Sequence, residues 1–186
     1  KDMSLAIRNE RGESLPDHHI GKVWCKGLSV MHSYFRDPES TAACLVDGWL
    51  DTGDMGYMVD GYLFIVGRAK DMIIINGKNH WPQDIEWAVE QLPGFNHGDI
   101  AAFSVESETG EEEVAVLVHC RVSDPVERQK LHDTIRDKVR SILGHPAIVE
   151  LVPPRTLPRT SSGKLSRAKA KKQYLSGEIA PIDLAA

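Results

Sequence analysis

The segment Leu157-Pro158-Arg159-Thr160-Ser161-Ser162-Gly163-Lys164-Leu165-Ser166-Arg167 gathers hydroxyls and a glycine ahead of a lysine. Backbone N–H groups, hydroxyls and a point positive charge can converge there on phosphate or carboxylate. It is not a Walker A loop, because the first glycine is missing and Leu165 stands where a Ser or Thr would hold magnesium. No acidic residue occurs from Arg155 to Lys172, so composition alone also fits a solvated basic tail. The second candidate group is Asp51-Thr52-Gly53-Asp54, read as a turn ahead of the hairpin signal Asp60-Gly61. A carboxylate there can accept hydrogen bonds from vicinal ribose hydroxyls, or can simply bond its own turn backbone. Arg68 fits either a packed structural arginine or a ligand contact, and nothing local decides between them.

Other chemistries lack their residues. Eight histidines occur, but there is no H-E-x-x-H and no Cys/His cluster at metal-ligand spacing, so no metal site is expected. No G-x-S-x-G elbow is present for a hydrolase triad. The net charge of −5 argues against a nucleic-acid partner, and no aromatic residues are interleaved in the basic segment before Tyr174. Cys25, Cys44 and Cys120 are far apart and odd in number, which fits reduced thiols in a cytoplasmic compartment. No apolar run reaches the roughly 18 residues of a membrane span. The chain enters strand-like sequence at Leu5 without a signal-peptide pattern, which reads as the middle of a longer protein.

The elements that must hold these residues follow from periodicity and turn signals. Gly21–Gly27, Tyr57–Val59, Tyr62–Val66 and Met72–Ile75 read as strands, and Asp37-Pro38 as the cap and first residue of a short helix. Pro82 opens a helix that stops at Pro93-Gly94, and Trp81 and Trp87 around its start are read as packing residues. Ile100–Val105 and Val114–Val118 read as an antiparallel pair joined through Glu106–Glu111, and Ala147–Val152 as a third strand. Asp124-Pro125 opens a helix to Leu143 whose buried face is expected at Leu131, Ile135, Val139 and Ile142. A basic helix runs from about Arg167 to Leu175. The expected fold class is α+β: a small β-rich subdomain over residues 1–69, then an α+β domain with antiparallel strands and helices over 70–186.

Taken in order, these pieces resemble the adenylate-forming (AMP-binding, acyl-CoA synthetase) superfamily. Gly21–Gly27 with Tyr34–Thr41 is similar to its G-E-x-x-x-x-G … G-Y … P-E-x-T segment, and Thr52-Gly53-Asp54 to its ribose-binding T-G-D. Gly67-Arg68 with Lys70 resembles its G-R-x-(D/K) hinge, and Pro158 to Lys164 its P-x-T-x-x-G-K loop. Asn76-Gly77-Lys78-Asn79-His80-Trp81-Pro82-Gln83-Asp84-Ile85-Glu86 is closest to the G-R-N-H-Y-P-Q-D-I-E of fatty acyl-AMP ligases.

The resemblance implies an ATP-dependent ligase that joins a fatty acid to AMP and passes the acyl group to a phosphopantetheine thiol. It favours an acyl carrier protein over coenzyme A as the acceptor. Lys164 would be catalytic, Asp54 and Arg68 would bind the ribose of ATP or AMP, Lys70 would be the hinge, and Gly77 would sit on the loop beside the acceptor tunnel. Residues 1–69 would be the last β subdomain of the large N-terminal adenylation domain, and 70–186 its mobile C-terminal lid. The phosphate loop, the Mg ligands and the subfamily insertion would lie upstream, so this fragment is expected to be inactive alone. Two alternatives stand beside it: a long-chain acyl-CoA synthetase, and a non-catalytic module docking a carrier protein or nucleic acid through its basic tail.

Overall fold

The computed structural model describes residues 3–107 and 110–184. The chain divides into two compact units, Lys1–Lys70 and Asp71–Ala186. The first is an antiparallel sheet of β1 (Met3–Arg8), β2 (Gly21–Gly27), β3 (Leu45–Val46), β4 (Trp49–Val59) and β5 (Tyr62–Arg68). Strands β1, β2, β4 and β3 lie side by side, and β5 also pairs with β4. Helix α1 (Pro38–Cys44) precedes β3. Asp37 caps it, its Oδ1 accepting the Ser40 N–H at 2.9 Å. The turn at Asp60-Gly61 carries positive φ at both residues, 49° and 82°, as a two-residue hairpin of matching twist requires. Arg8 lies between Trp24 and Trp49, its guanidinium 5.0 and 4.7 Å from their rings.

One expectation changes here. Asp51–Asp54 lies within the long strand β4 and not on a turn. The strand nonetheless departs from regular pairing there: its register against β2 shifts opposite this segment, and Gly53 takes φ +73°. The pattern T-G-D marks an irregularity in a strand, which composition reads as a turn.

The second unit is built on a three-stranded sheet of β8 (Ile100–Glu106), β9 (Glu112–His119) and β10 (Ile148–Val152), in the order β10-β9-β8. β8 and β9 are antiparallel, while β10 runs parallel to β9 after a crossover through α3 (Pro125–Leu143). Glu108 and Thr109 of the expected connection lie outside the described residues. A hairpin of β6 (Ile73–Ile75) and β7 (Lys78–His80) leads into α2 (Pro82–Glu90), and α4 (Arg167–Leu175) follows the lysine loop.

Both faces of this sheet are covered. Ile100, Ala102, Val114, Val116 and Val118 point into one cluster with Ile85, Val89, Ile135 and Val139 of α2 and α3. Ala101, Phe103, Ala115 and Leu117 point into the other, with Leu157, Ala170 and Ile179. Successive strand residues face opposite sides, so a strand buried on both reads as an unbroken apolar run. On α3 the buried positions are Ile135, Val139 and Leu143, with the expected Leu131 and Ile142 only half-buried. Trp87, expected to pack, is 64% exposed on the outer face of α2.

Ile135→Ala is expected to destabilise the chain by about 2–5 kcal/mol, because the sheet on one side and α2 on the other prevent collapse of the cavity. Trp87→Ala is expected to shift stability by no more than about 0.5 kcal/mol. Urea denaturation of the two variants checks both figures.

Candidate functional site

Asp54 and Arg68 are cross-strand partners in the β4–β5 ladder. Arg68 Nε donates to Asp54 Oδ1 at 2.9 Å, and both side chains remain part-exposed. The neighbouring polar groups hold the backbone. Thr52 Oγ1 donates to Val23 O at 2.8 Å and accepts the Asp54 N–H at 3.1 Å, while Asp51 Oδ1 accepts the Gly53 N–H at 2.9 Å. The side-chain bonds of Asp51 and Thr52 thus brace an irregular strand around Gly53. Beside them lies a shallow cavity of about 200 Å³ lined by Lys22, Asp51, Gly53, Arg68, Ala69 and Lys70. Three cationic side chains in that wall face one carboxylate, Asp51, whose Oδ2 is 3.8 Å from Lys22 Nζ. A cation-rich cavity with the Asp54 carboxylate near it can take a polyol bearing an anionic group. Lys70 lies in a 3-10 turn, Ala69–Asp71, where the two units join.

In the second unit, the lysine loop is a tight hairpin with an exposed tip and a fastened base. Arg159 and Leu165 face one another in a single antiparallel bridge. Thr160 N–H donates to Lys164 O at 2.7 Å, Gly163 N–H to Thr160 O at 2.9 Å, and Ser166 N–H to Pro158 O at 2.9 Å. Ser161, Ser162, Gly163 and Lys164 are exposed, and the Lys164 ammonium makes no hydrogen bond or ion pair among the described residues. The segment is therefore an ordered hairpin and not a loose tail.

Its base is clamped from two sides. Leu157, buried in the core, donates its N–H to His119 Nε2 at 3.2 Å. Arg159 reaches Gly98 O at 3.2 Å and Gly163 O at 3.0 Å. His119 Nδ1 lies 3.2 Å from Asp99 Oδ1, and Arg121 grips the same carboxylate at 2.8 and 3.0 Å. The Arg121 guanidinium beside Asp99 holds its carboxyl well below the usual carboxylate range, helped by the Asn96 N–H. Burial lowers the His119 pKa, against the opposing pull of Asp99. These groups border a cavity of about 500 Å³ that also includes Arg155, Thr156 and Pro158.

The far end of the loop is tied by Arg167, whose Nε and Nη2 donate to Glu86 Oε1 and Oε2 at 2.7 and 2.6 Å. Glu86 Oε1 also accepts the Ala102 N–H at 3.0 Å, and Arg167 Nη1 reaches Asp71 Oδ2 at 3.3 Å. Gly77 sits with Asn76 in a two-residue turn, φ +72° and +51°, at the tip of the β6–β7 hairpin. A side chain at Gly77 would meet nothing within 4 Å, so glycine is favoured there by the backbone angle and not by crowding. Burial, then His145 and Lys78, lowers the pKa of His80 at the foot of this hairpin.

Among the described residues no three His, Cys, Asp or Glu side chains converge on a space for a metal ion. Among the same residues no helix is long and apolar enough to cross a membrane. Sequence reasoning misses Asp99, His119, Arg121 and Glu86. The first three meet only through the β8–β9 ladder and carry no local motif. Glu86 closes the acyl-AMP-ligase-like segment, but its partner lies 81 residues away.

Residues 77–172 match the AMP-binding enzyme C-terminal domain family, and the chain belongs to it. A putative acyl-CoA synthetase of Caulobacter vibrioides is 48% identical over 178 residues, covering 95% of this chain and 31% of the relative. A structure from work on fatty acyl-adenylate ligases of E. coli and L. pneumophila superposes with TM-score 0.84 at 41% identity, covering 95% of this chain and 31% of that one. The McyG A-PCP structure, complexed with phenylalanyl-adenylate, gives TM-score 0.85 at 31% identity, covering 95% and 32%. The chain thus spans about a third of the length of the curated relative, 31%.

Asp99 gives the unit an acid-sensitive joint. Its pKa in the folded chain lies below the ordinary 3.8, so the unfolded chain takes up the proton first as the pH falls. The stabilisation is complete above that value and is lost below it. Asp99→Asn is expected to cost about 1–3 kcal/mol at pH 7, and the difference from the parent should shrink toward pH 3. Urea titrations across that range check the sign, and a difference independent of pH would contradict it.

Proposed function

We propose that this chain is the C-terminal part of an ATP-dependent fatty acid ligase that forms acyl-AMP and hands the acyl group to a phosphopantetheine thiol. The first unit is the last β subdomain of the large adenylation domain, and the second is its mobile lid. The observation that carries the reading is Lys164: an exposed ammonium, without a partner among the described residues, on a hairpin fastened at both ends. Membership of the AMP-binding family and the likeness to fatty acyl-adenylate ligases support it.

In the first half-reaction a carboxylate oxygen of the fatty acid attacks the α-phosphorus of ATP, supplied as its magnesium complex. The bond from that phosphorus to the bridging oxygen breaks, and pyrophosphate leaves. Both reactants are anions, so positive charge must be fixed where they meet. Lys164 supplies it, bridging carboxylate and α-phosphate. The Asp54 carboxylate accepts from the ribose hydroxyls, and Arg68, bonded to Asp54, orients it and contacts the nucleotide. Rotation at Lys70 then carries Lys164 away and brings the Gly77 hairpin to the acceptor. A single 3-10 turn at that point suits a hinge, because few residues absorb the change. The thiolate sulfur attacks the acyl carbonyl, the mixed anhydride breaks, and AMP leaves.

The acceptor is a carrier protein in this reading, supported by the Asn76–Glu86 segment and by the A-PCP likeness. The exposed apolar side chains of the first unit, among them Phe35 and Tyr62, are surface that the remainder of a larger adenylation domain would cover.

Lys164→Ala in the full-length enzyme is expected to lower acyl-AMP formation by about 10²–10³-fold while leaving thioester formation from supplied acyl-AMP within about threefold. Radiolabelled pyrophosphate exchange and transfer assays measure the two steps separately. Equal loss of both would overturn the role of Lys164. Transfer to coenzyme A as fast as to a holo-carrier protein would overturn the choice of acceptor.

A further inference from the structure

We propose that His119 is a positioning residue for Lys164, its neutral imidazole holding the entry of the lysine hairpin in register with the sheet. The inference rests on Lys164 acting in acyl-AMP formation. A backbone N–H can only donate, so the Leu157 N–H, 3.2 Å from His119 Nε2, requires a lone pair on that nitrogen. The ring proton therefore sits on Nδ1 and is donated to Asp99 Oδ1, 3.2 Å away. Asp99 is in turn fixed by two bonds from Arg121 and by the Asn96 N–H, and its carbonyl accepts the His119 N–H at 2.9 Å. The imidazole is thus a rigid strut between a locked carboxylate and the chain entering the loop.

The position of this strut gives it leverage. Two residues after Leu157, Arg159 pairs with Leu165, and the exposed Lys164 lies just before that partner. The other clamp on the entry, Arg159 to Gly98 O, ends on the residue preceding Asp99. Both clamps therefore converge on the short segment Gly98-Asp99. A shift of the Leu157 amide moves the first arm of the hairpin, and with it the ammonium. Displacement of a reacting group by about 1 Å costs about 10²-fold in rate. A neutral imidazole donates from one nitrogen and accepts at the other; here the accepting side takes the backbone N–H of the loop that carries Lys164.

The charged groups facing the ring are Asp99, Arg121, Arg159 and, on the cavity wall, Arg155. With burial, the guanidiniums oppose a charge on the imidazole, while Asp99 alone favours it. Protonation would set an N–H against the Leu157 N–H and release the hairpin entry.

The test uses the full-length enzyme. His119→Phe fills the space without an acceptor; it is expected to lower kcat for acyl-AMP formation by about tenfold or more, with the KM for ATP within about threefold. Thioester formation from supplied acyl-AMP should be unaffected. His119→Gln, whose amide oxygen can accept the Leu157 N–H, should restore most of the rate. Wild-type acyl-AMP formation should fall on the acid side, below the ordinary histidine value of 6.5, and the glutamine variant should lack that limb.

A folded His119→Phe enzyme that adenylates like wild type, or one that loses both half-reactions together, overturns the proposal. Should His119→Phe fail to fold, the pH profile of His119→Gln decides, since an acid limb retained there also overturns it. Lys164→Ala run beside them separates the two readings. If Lys164→Ala adenylates normally the functional reading itself fails, whereas normal adenylation by His119→Phe beside an inactive Lys164→Ala removes only the positioning role.

Discussion

The second unit is tied together by one ion pair, the buried Glu86 with the part-buried Arg167. The guanidinium meets both carboxylate oxygens in the forked geometry that suits arginine, at 2.7 and 2.6 Å. Through it α4 is tied to α2, through the Ala102 N–H to the central sheet, and through Asp71 to the start of the unit. Burial pushes the Glu86 carboxyl up, and Arg167 opposes that push most strongly. Removing Arg167 would leave the buried Glu86 carboxylate without its cation, which generally costs about 3–5 kcal/mol. The pair therefore fixes which residues lie side by side more than it adds net stability. Arg167 stands three positions after Lys164, so the exit of the lysine hairpin is set by the same contact that ties α4 to α2.

This gives the lysine loop its character. Polar, exposed segments rich in serine and glycine are ordinarily free to sample many conformations, and a catalytic ammonium that does so spends little time in the reactive geometry. Here the tip stays in solvent while His119 and Arg159 hold the entry and Arg167 holds the exit. The ammonium is thus presented from a hairpin held as one piece on the second unit. The polar residues of β4 follow a similar plan: Thr52 and Asp51 brace the strand so that Asp54, paired with Arg68, is presented from a fixed backbone.

Much of this was legible in the sequence, and the limits have physical causes. The strands of the second unit stood out because burial on both faces leaves unbroken apolar runs. The helix starts stood out because Asp37-Pro38 and Asp124-Pro125 combine a capping carboxylate with a pre-set first residue. The hairpin at Asn76-Gly77 went unread, because the strand after it, Lys78–His80, is polar and does not read as one. Asp51–Asp54 looked like a turn because glycine between aspartates usually is one; in β4 the same residues make an irregularity within a strand. The parallel pairing of β10 followed no local pattern, since pairing direction is settled by the crossover. The clamp residues Asp99, His119 and Arg121 were invisible for the same reason: the β8–β9 ladder alone makes them neighbours.

The measurement that bears most directly on the account is a structure of the full-length protein with a fatty acid and α,β-methylene-ATP, which holds the first half-reaction before bond cleavage. The Lys164 ammonium is expected within hydrogen-bond distance of both the carboxylate and the α-phosphate, and the Asp54 carboxylate on the ribose hydroxyls. A complex with both reactants bound, but with Asp54 away from the sugar and Lys164 left in solvent, would contradict it.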